Sequence, residues 1–260
     1  MSDAVKTRVN GSVLEVTLDR PKANAIDGPT SQELGRVFAD FRDNPDLRVA
    51  IITGGGEKFF CAGWDLKAAA EGEGATTDFG VGGFGGLQEL PDLNKPVIAA
   101  VNGIACGGGF ELMISADIII AAEHASFALP EINAGTLADA ATLKLPKRVP
   151  HHVAMELLLT GRWMDTGEAA KWGLVNEIVS AESLMERARE VAGLLAEGPP
   201  LVFSAIKETV RAAQNMDFQA GIDMLNGQQL PTVKKLYNSE DMHEGALSFA
   251  EKRKPVKKGK

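Results

Sequence analysis

The sequence predicts a layered α/β protein whose last part is helical. Apolar runs of strand length alternate with segments of helical spacing up to about residue 180, and only helical segments follow. Two of the runs, Val97–Val101 and Ile118–Ala122, contain no polar residue and are typical of strands buried on both faces. A chain of 260 residues is long enough to bury most of its apolar surface.

The first half of the chain predicts strands, one long helix and glycine-rich turns. Val13–Leu18 alternates apolar and polar residues after an Asn-Gly hairpin signal, and residues 49–53 form a buried-type strand. Between them a helix is predicted at residues 30–43, where apolar residues share one face. Residues 71–86 are rich in glycine and lack periodicity, which predicts a mobile loop.

The second half of the chain predicts a strand at residues 174–179 and otherwise helices. Asp65 in the first half and Ser239 in the second are plausible caps of the helices that follow them. The predicted helices of the second half are residues 151–160, 165–173, 181–196, 201–214, 218–225 and 239–251.

Composition and charge exclude several classes of protein. A net charge of −8 argues against a general nucleic-acid binder. The two cysteines, Cys61 and Cys106, belong to no paired motif, so neither a disulfide framework nor a zinc site is expected. The N-terminus lacks the apolar core of a signal peptide, and no apolar run approaches the ~18 residues of a membrane span. We therefore expect a soluble, cytoplasmic protein with no metal, nucleic acid or membrane as partner.

The stretch from Lys95 to Glu131 carries the clearest chemical signal. A strand-length run leads to three glycines at 107–109, and Glu111 follows them at a predicted helix start. Glycines there leave backbone N–H groups uncovered, so a ligand oxygen can approach them. Amides that hold an oxyanion and two carboxylates that move protons are the groups needed for chemistry beside a carbonyl. The same residues also have a purely structural explanation, because an acid favours a helix start and glycines permit close packing.

Two other stretches of the chain contain glycines that bear on ligand binding. Residues 62–63, Ala-Gly, again leave a bare backbone, just before Trp64 and Asp65. Residues 80–85 formally match the GxGxxG dinucleotide fingerprint. However, no strand precedes them and no βαβ unit surrounds them, so that match is rejected.

Taken together, the chain resembles the enoyl-CoA hydratase/isomerase (crotonase) superfamily over essentially its whole length. Within it, the chain is most similar to the carnitinyl-CoA dehydratase branch, through residues 21–27 (PKANAID), 63–72 (GWDLKAAAEG) and 125–131 (ASFALPE). The family resemblance rests on five stretches: 18–25 (LDRPKANA), 60–66 (FCAGWDL), 101–111 (VNG then GGGFE), 129–132 (LPEI) and 160–175 (TG, AA and GLV).

This resemblance implies a spiral of ββα units over residues 1–195 and a helical oligomerisation region over 196–260, assembled as a homotrimer or a dimer of trimers. It implies that the amides of Trp64 and Gly108 form an oxyanion hole, and that Glu111 and Glu131 are the acid and base. The positions that match substrate-binding positions of the family are Lys22, Ala23, Ala25, Ala62, Trp64, Leu66 and Lys67 with Gly108 along CoA and the thioester, Ile104 and Pro130 at the acyl group, and Phe249 and Lys252 across a subunit boundary.

The activity implied is hydration or dehydration at the C2–C3 double bond of a short acyl-CoA, with carnitinyl-CoA and crotonobetainyl-CoA as the expected pair. No cofactor is expected, since coenzyme A is part of the substrate. The alternatives are a general short-chain enoyl-CoA hydratase, a Δ3-Δ2 enoyl-CoA isomerase and a non-catalytic CoA-binding scaffold. The presence of both glutamates disfavours the isomerase, which typically keeps one carboxylate.

One segment departs from the family pattern. Where the family has a proline and a Gly-Gly pair, residues 136–141 (TLADAA) are one residue shorter and contain Asp139. Because this segment lies beside the acyl group in the family, it bears on substrate identity. A quaternary ammonium is stabilised by an aromatic face or an acid, so Trp64, Phe84 and Asp139 are the candidates to bind one.

Overall fold

The computed structural model describes residues 4–74 and 76–259, and these residues contain ten strands and twelve α-helices. In chain order, strands β1 to β10 are Val5–Asn10, Val13–Leu18, Val49–Gly54, Phe59–Cys61, Val97–Val101, Ile104–Cys106, Ile118–Ala122, Ser126–Ala128, Met164–Asp165 and Glu177–Val179. Helices α1 to α12 are Gly28–Asp43, Leu66–Ala70, Gly108–Met113, Glu131–Ala134, Asp139–Lys144, His151–Thr160, Thr166–Lys171, Leu184–Ala196, Pro200–Ala213, Phe218–Asn226, Pro231–Tyr237 and Glu240–Ala250.

The strands form two sheets. The larger has the order β1-β2-β3-β5-β7-β10, and only its β1–β2 pair is antiparallel. The smaller has the order β4-β6-β8-β9, with β4, β6 and β8 parallel and β9 antiparallel to β8.

From β3 to β8, consecutive strands alternate between the two sheets. Strands β3, β5 and β7 lie side by side in the larger sheet, while β4, β6 and β8 lie side by side in the smaller one. Each turn of the chain therefore adds one strand to each sheet and then a helix, namely α2, α3 or α4. This is the ββα spiral that the resemblance implies, so the predicted α/β class is confirmed.

Burial on both faces of the larger sheet explains its continuous apolar strands. In β3, Ala50 and Ile52 belong to the main core, which joins the two sheets, whereas Val49 and Ile51 pack with α8 in a second cluster. All four residues are 0% exposed. A parallel strand covered on both faces is expected to be uninterrupted by polar residues.

The predicted caps are confirmed. The Asp65 side chain accepts a hydrogen bond from the Lys67 amide at the start of α2, and Ser239 accepts one from the Met242 amide at the start of α12. Asp27 likewise accepts from the Thr30 amide, which places the start of α1 two residues before the prediction. Such caps satisfy amides that lack partners within the helix.

Three details of the prediction were wrong. The strand expected at 174–179 is only β10, because the amides of Leu174 and Val175 turn back onto the Ala169 carbonyl at the end of α7. Helix α11 was not foreseen. The strands of the smaller sheet were also missed, since two or three residues are too few to show a period.

Residues 80–85 do not form part of a dinucleotide fold. Among the described residues of the segment 71–86, the only regular element is a 3₁₀ turn at Phe84–Gly86. Across the part of the chain that the structure describes, no helix is long and apolar enough to cross a membrane.

Candidate active site

The predicted site residues follow the carboxyl ends of three neighbouring strands. Strands β4, β6 and β8 are adjacent and parallel, so their carboxyl ends meet at one edge of the smaller sheet. The chain passes from β4 to Trp64, from β6 to Gly108 and Glu111, and from β8 to Glu131. The topology thus collects at one edge residues that are far apart in sequence, in a position typical of ligand sites in α/β proteins.

Two backbone amides are available at this edge. Among the described residues, neither the Trp64 amide nor the Gly108 amide donates a hydrogen bond to another protein group. The residues on either side of Trp64 do form backbone hydrogen bonds. The Ile26 amide donates to the Gly63 carbonyl, and the Asp65 amide donates to the Ile26 carbonyl, each at 2.8 Å. The pairing of Ile26 with Trp64 is a parallel bridge. In such a bridge the N–H of the opposed residue points away from its partner strand.

Close packing of glycines brings the two amides together. A Cβ built on Gly63 would lie 2.9 Å from the Gly108 nitrogen and 2.6 Å from the Cys106 carbonyl oxygen. A Cβ on Gly109 would lie 2.1 Å from the Cys61 carbonyl oxygen, so α3 starts in contact with the end of β4. Only glycine permits these approaches.

An aromatic ring covers the glycine run on another side. A Cβ on Gly108 would lie 2.2 Å from Phe84 Cε1, and the Phe84 ring meets Phe79 edge to face with centroids 5.4 Å apart. The Trp64 indole is held separately: its Nε1 donates to Glu73 Oε2 at 3.2 Å, and Glu73 Oε1 accepts from the Gly28 amide at 2.9 Å.

Glu111 lies in the first turn of α3 and is 6% exposed. Its Oε1 accepts a hydrogen bond from the Ala141 amide at 2.9 Å, and its Oε2 accepts from Gln88 Nε2 at 3.4 Å. Burial raises the pKa of Glu111 to about 7, the negative charges of Glu131 and Asp139 add to the rise, and the Ala141 hydrogen bond opposes it. Such a carboxyl group gains and loses its proton near neutral pH.

Glu131 is the first residue of α4, and it faces the glycine run. A Cβ on Gly107 would lie 2.9 Å from Glu131 Oε1. The other oxygen, Oε2, is buried and has no hydrogen-bond partner within the described part of the chain. Burial also raises the pKa of Glu131, and the charge of Asp139 contributes. A buried carboxylate oxygen without a partner is costly, and a substrate or water that donates to it would relieve that cost.

Asp139 is a third acid beside this pair. It is exposed in the first turn of α5, and its charge acts on the pKa of both Glu111 and Glu131. The three carboxylates do not form a metal site, since no group of three or more His, Cys, Asp or Glu residues within the described chain is arranged to hold a metal ion.

The residues predicted along CoA lie together beside Trp64. Ala62 donates its amide to the Ala23 carbonyl at 3.1 Å, which joins the loop after β2 to the loop after β4. Arg20 ties the same two loops, because it donates to the Asp65 and Asp27 carboxylates at 2.7 Å each. Of the predicted positions, Ala23, Ala25 and Ala62 are half-buried, while Lys22, Leu66 and Lys67 are exposed.

The remaining predicted positions divide in two. Ile104 begins β6, at the amino end of that strand, and Pro130 follows the carboxyl end of β8; both side chains are half-buried. Phe249 and Lys252 lie at the end of α12 and beyond it, and the single chain buries neither; Phe249 is 87% exposed.

Three contacts that hold the site groups have no signal in the sequence. These are the Ala141 amide and Gln88, which hold the Glu111 carboxylate, and Glu73, which holds the Trp64 ring. Each contact joins separate elements of the fold. No local period or motif signals such a contact, and only covariation among relatives could have found it.

Comparison with known proteins gives a consistent result. The family model described as "Enoyl-CoA hydratase/isomerase" matches residues 8–260. A carnitinyl-CoA dehydratase of Proteus mirabilis is 55% identical over 261 residues, covering all of both chains. Among solved structures, an enoyl-CoA hydratase from Mycobacterium tuberculosis is 34% identical with a TM-score of 0.88, and a carnitinyl-CoA hydratase from Mycobacterium avium is 37% identical with a TM-score of 0.76; each alignment covers both chains fully.

Proposed function

This chain belongs to the enoyl-CoA hydratase/isomerase family, and from that premise we propose that it is a lyase acting on the C2–C3 double bond of a short acyl-CoA thioester. In one direction it adds water across the bond, and in the other it removes water. The observation that carries the proposal is the meeting of two unpaired amides, the buried carboxyl group of Glu111 and the half-buried carboxyl group of Glu131 at one edge of the smaller sheet.

The amides of Trp64 and Gly108 would hold the thioester oxygen. Attack of water at C3 moves electrons through C2 onto that oxygen, which becomes an enolate oxyanion. Fixed N–H donors stabilise the charge as it develops, and one such donor is typically worth roughly 3–4 kcal/mol. Only the backbone of residue 64 takes part, so a tryptophan is compatible with this role.

The carboxyl groups of Glu111 and Glu131 would move the protons. In hydration, one carboxylate takes a proton from the attacking water, and the other carboxylic acid delivers a proton to C2. The pair must therefore share one proton at the start, which the mutual repulsion of two nearby carboxylates favours. Acid–base catalysis of this kind contributes roughly 10²–10⁴ in rate. The chemistry uses protein groups alone and needs no metal or cofactor beyond the CoA of the substrate.

The proposed substrate pair is carnitinyl-CoA, which the names of the relatives give for those proteins, and crotonobetainyl-CoA, the enoyl thioester that its dehydration yields. Both acyl groups carry a permanent positive charge. Asp139 supports this choice because its charge acts on both glutamates and so lies near the acyl end of the site. The Phe84 ring over Gly108 offers an aromatic face for the same cation.

The decisive test of the mechanism is Glu131→Gln. We expect kcat to fall by about 10²–10⁴, because the amide cannot carry the proton, while the Kd for CoA changes little. Turnover is followed by the ultraviolet absorbance of the conjugated enoyl thioester. Unchanged activity in the variant would exclude Glu131 as a proton carrier, and a native enzyme inactive on every enoyl-CoA offered would support a CoA-binding scaffold.

Substrate identity is tested by comparing kcat/KM for crotonobetainyl-CoA and crotonyl-CoA. We expect the native enzyme to prefer the cationic substrate, and Asp139→Asn to reduce that preference by raising KM for crotonobetainyl-CoA alone. If both substrates are used equally well by both proteins, the enzyme is a general short-chain hydratase.

We also propose that the chain forms homotrimers or dimers of trimers in the cytoplasm, with residues 196–260 as the oligomerisation region. Large apolar side chains there are exposed in the single chain, among them Phe218 at 82% and Phe249 at 87%. Phe249 and Lys252 would then reach CoA bound to a neighbouring subunit. Sedimentation equilibrium measures the subunit number, and a monomer that is fully active would contradict this arrangement.

A further inference from the structure

Lys144 occupies an unusual position behind the site. It is the last residue of α5, one helical turn after Ala141, whose amide contacts the Glu111 carboxylate. The Lys144 ammonium points inward, where its Nζ donates to the Gln88 carbonyl oxygen at 3.1 Å and to Ser115 Oγ at 3.0 Å. Neither partner belongs to α5.

Both partners of Lys144 also contact Glu111. Gln88 donates its side-chain amide to Glu111 Oε2 at 3.4 Å, and Ser115 donates its hydroxyl to the Glu111 carbonyl oxygen at 2.8 Å. Lys144 is thus joined through one residue to the carboxylate of Glu111 and through another to its backbone. The Ser115 hydroxyl can donate one hydrogen bond and accept another, so these contacts form without competition.

We propose that Lys144 is a positioning residue for Glu111, fixing the carboxylate through Gln88 and Ser115 and favouring its ionised form by its charge. The inference rests on the catalytic role of Glu111 in the proposed function. Lys144 itself would touch neither substrate nor water.

The charges around Lys144 and Glu111 support this role. Around Lys144 lie Arg148, Glu89 and Glu111, and around Glu111 lie Glu131 and Asp139, which favour its neutral form. Burial lowers the pKa of Lys144 to about 8, with help from Arg148 and against the attraction of the two glutamates. Lys144 therefore stays positively charged at the pH where Glu111, with a pKa of about 7, loses its proton. An attraction that favours the charged lysine favours the charged glutamate by the same free energy.

The test compares Lys144→Met with Lys147→Met. Lys147 lies next to the same helix but is exposed, and its Nζ donates only to Asn215, at 3.0 Å. For Lys144→Met we expect kcat to fall roughly ten- to a hundredfold, since a slightly misplaced catalytic group has costs of that order. KM should change little. The limb of the pH–kcat profile that reports the ionisation of Glu111 should move to higher pH, because the neutral variant no longer favours ionised Glu111. Lys147→Met should leave kcat and the profile as in the native enzyme.

A purely structural role for Lys144 would lower the amount of folded enzyme without moving the pH profile, and that result overturns the proposal. So does a native kcat in Lys144→Met. Should this variant fail to fold, Ser115→Ala and Gln88→Leu replace it, and each must move the same limb in the same direction. If both of these variants fold and have the same pH–kcat profile as the native enzyme, the proposal is likewise overturned.

A second measurement separates this inference from the proposed function. The Glu111 carboxyl band is isolated in the infrared as the difference between each protein and its Glu111→Gln counterpart, and it is titrated without substrate. We expect its midpoint to rise in Lys144→Met. If Glu111→Gln is fully active, the proposed function fails; if Glu111→Gln is inactive but the midpoint does not move, only the role of Lys144 fails.

Discussion

The two sides of the candidate site are built in opposite ways. The amide side, comprising residues 63–64 and 107–109, is so tightly packed that a Cβ on Gly109 would meet the Cys61 carbonyl oxygen at 2.1 Å. The acyl side, residues 131–141, begins with the half-buried Glu131, continues with six exposed residues at 132–137, and includes Gly135, whose added Cβ would meet nothing within 4 Å. The amide side is fixed by the core throughout, whereas the acyl side is exposed over residues 132–137 and returns to the core only at Ala138 and Ala141.

This difference matches what each side has to do. An oxyanion hole works only if its N–H groups are fixed before charge develops, and close packing fixes them. The acyl side meets the part of the substrate that differs between enzymes of one family. A segment with few packing constraints can change its sequence without loss of the fold, and the departure of this chain from the family pattern begins in the exposed part of the acyl side, at residue 136.

The difference in packing between the two sides is tested most directly by replacing one glycine with alanine on each side. Gly109→Ala should destabilise the protein by more than about 3 kcal/mol, since overpacking against backbone cannot be relieved by a side-chain rotation. Gly135→Ala should cost only about 1 kcal/mol, the strain of a left-handed backbone at φ +69°. Urea unfolding measures both, and equal losses would mean that the packing of the amide side is not special.

A second prediction concerns the backbone of the amide side. Trp64→Pro removes the N–H and should lower kcat by roughly 10²–10³, the usual effect of losing one oxyanion donor. Trp64→Phe is the control, because it keeps the N–H while losing the indole contact to Glu73. Full activity in a folded proline variant, judged by its circular dichroism spectrum, would place the hole elsewhere.

A third prediction concerns the buried acid. The folded protein holds Glu111 at a pKa of about 7 against an ordinary value of 4.5. The contribution of Glu111 to the free energy of unfolding is therefore largest below pH 4.5 and falls as the pH rises through 7, by up to about 3 kcal/mol. Glu111→Gln removes this loss, so the variant should be more stable than the native protein at pH 8 and should lose most of that advantage by pH 4.5.

The control for this experiment is Glu186→Gln, which changes an exposed glutamate on α8. Thermal unfolding across the pH range should show no pH-dependent gain for it. A Glu111→Gln variant with the same pH dependence of stability as the native protein would mean that Glu111 is not held in its neutral form by the fold.

Much of the fold was predictable because its signals are local. The strands β5 and β7 are apolar throughout, β3 is apolar except for Thr53, and Asp65 and Ser239 cap the helices that follow them. The smaller sheet was not predictable in this way, since β4, β6 and β8 have three residues each and are defined by their neighbours. Yet these short strands are what bring the site together.

The sequence by itself determined which groups are offered for catalysis: the bare backbone at 62–63 and 107–109, and the carboxylates of Glu111 and Glu131. These groups and their spacing can be identified from the local sequence, because glycine and glutamate have the same chemistry wherever they lie. The tertiary structure alone decided how those groups behave. Burial and the neighbouring charges set the pKa of Glu111, and Ala141 and Gln88 contact its carboxylate from other elements of the fold. Electrostatic and packing interactions depend on distance in space, and only folding sets those distances.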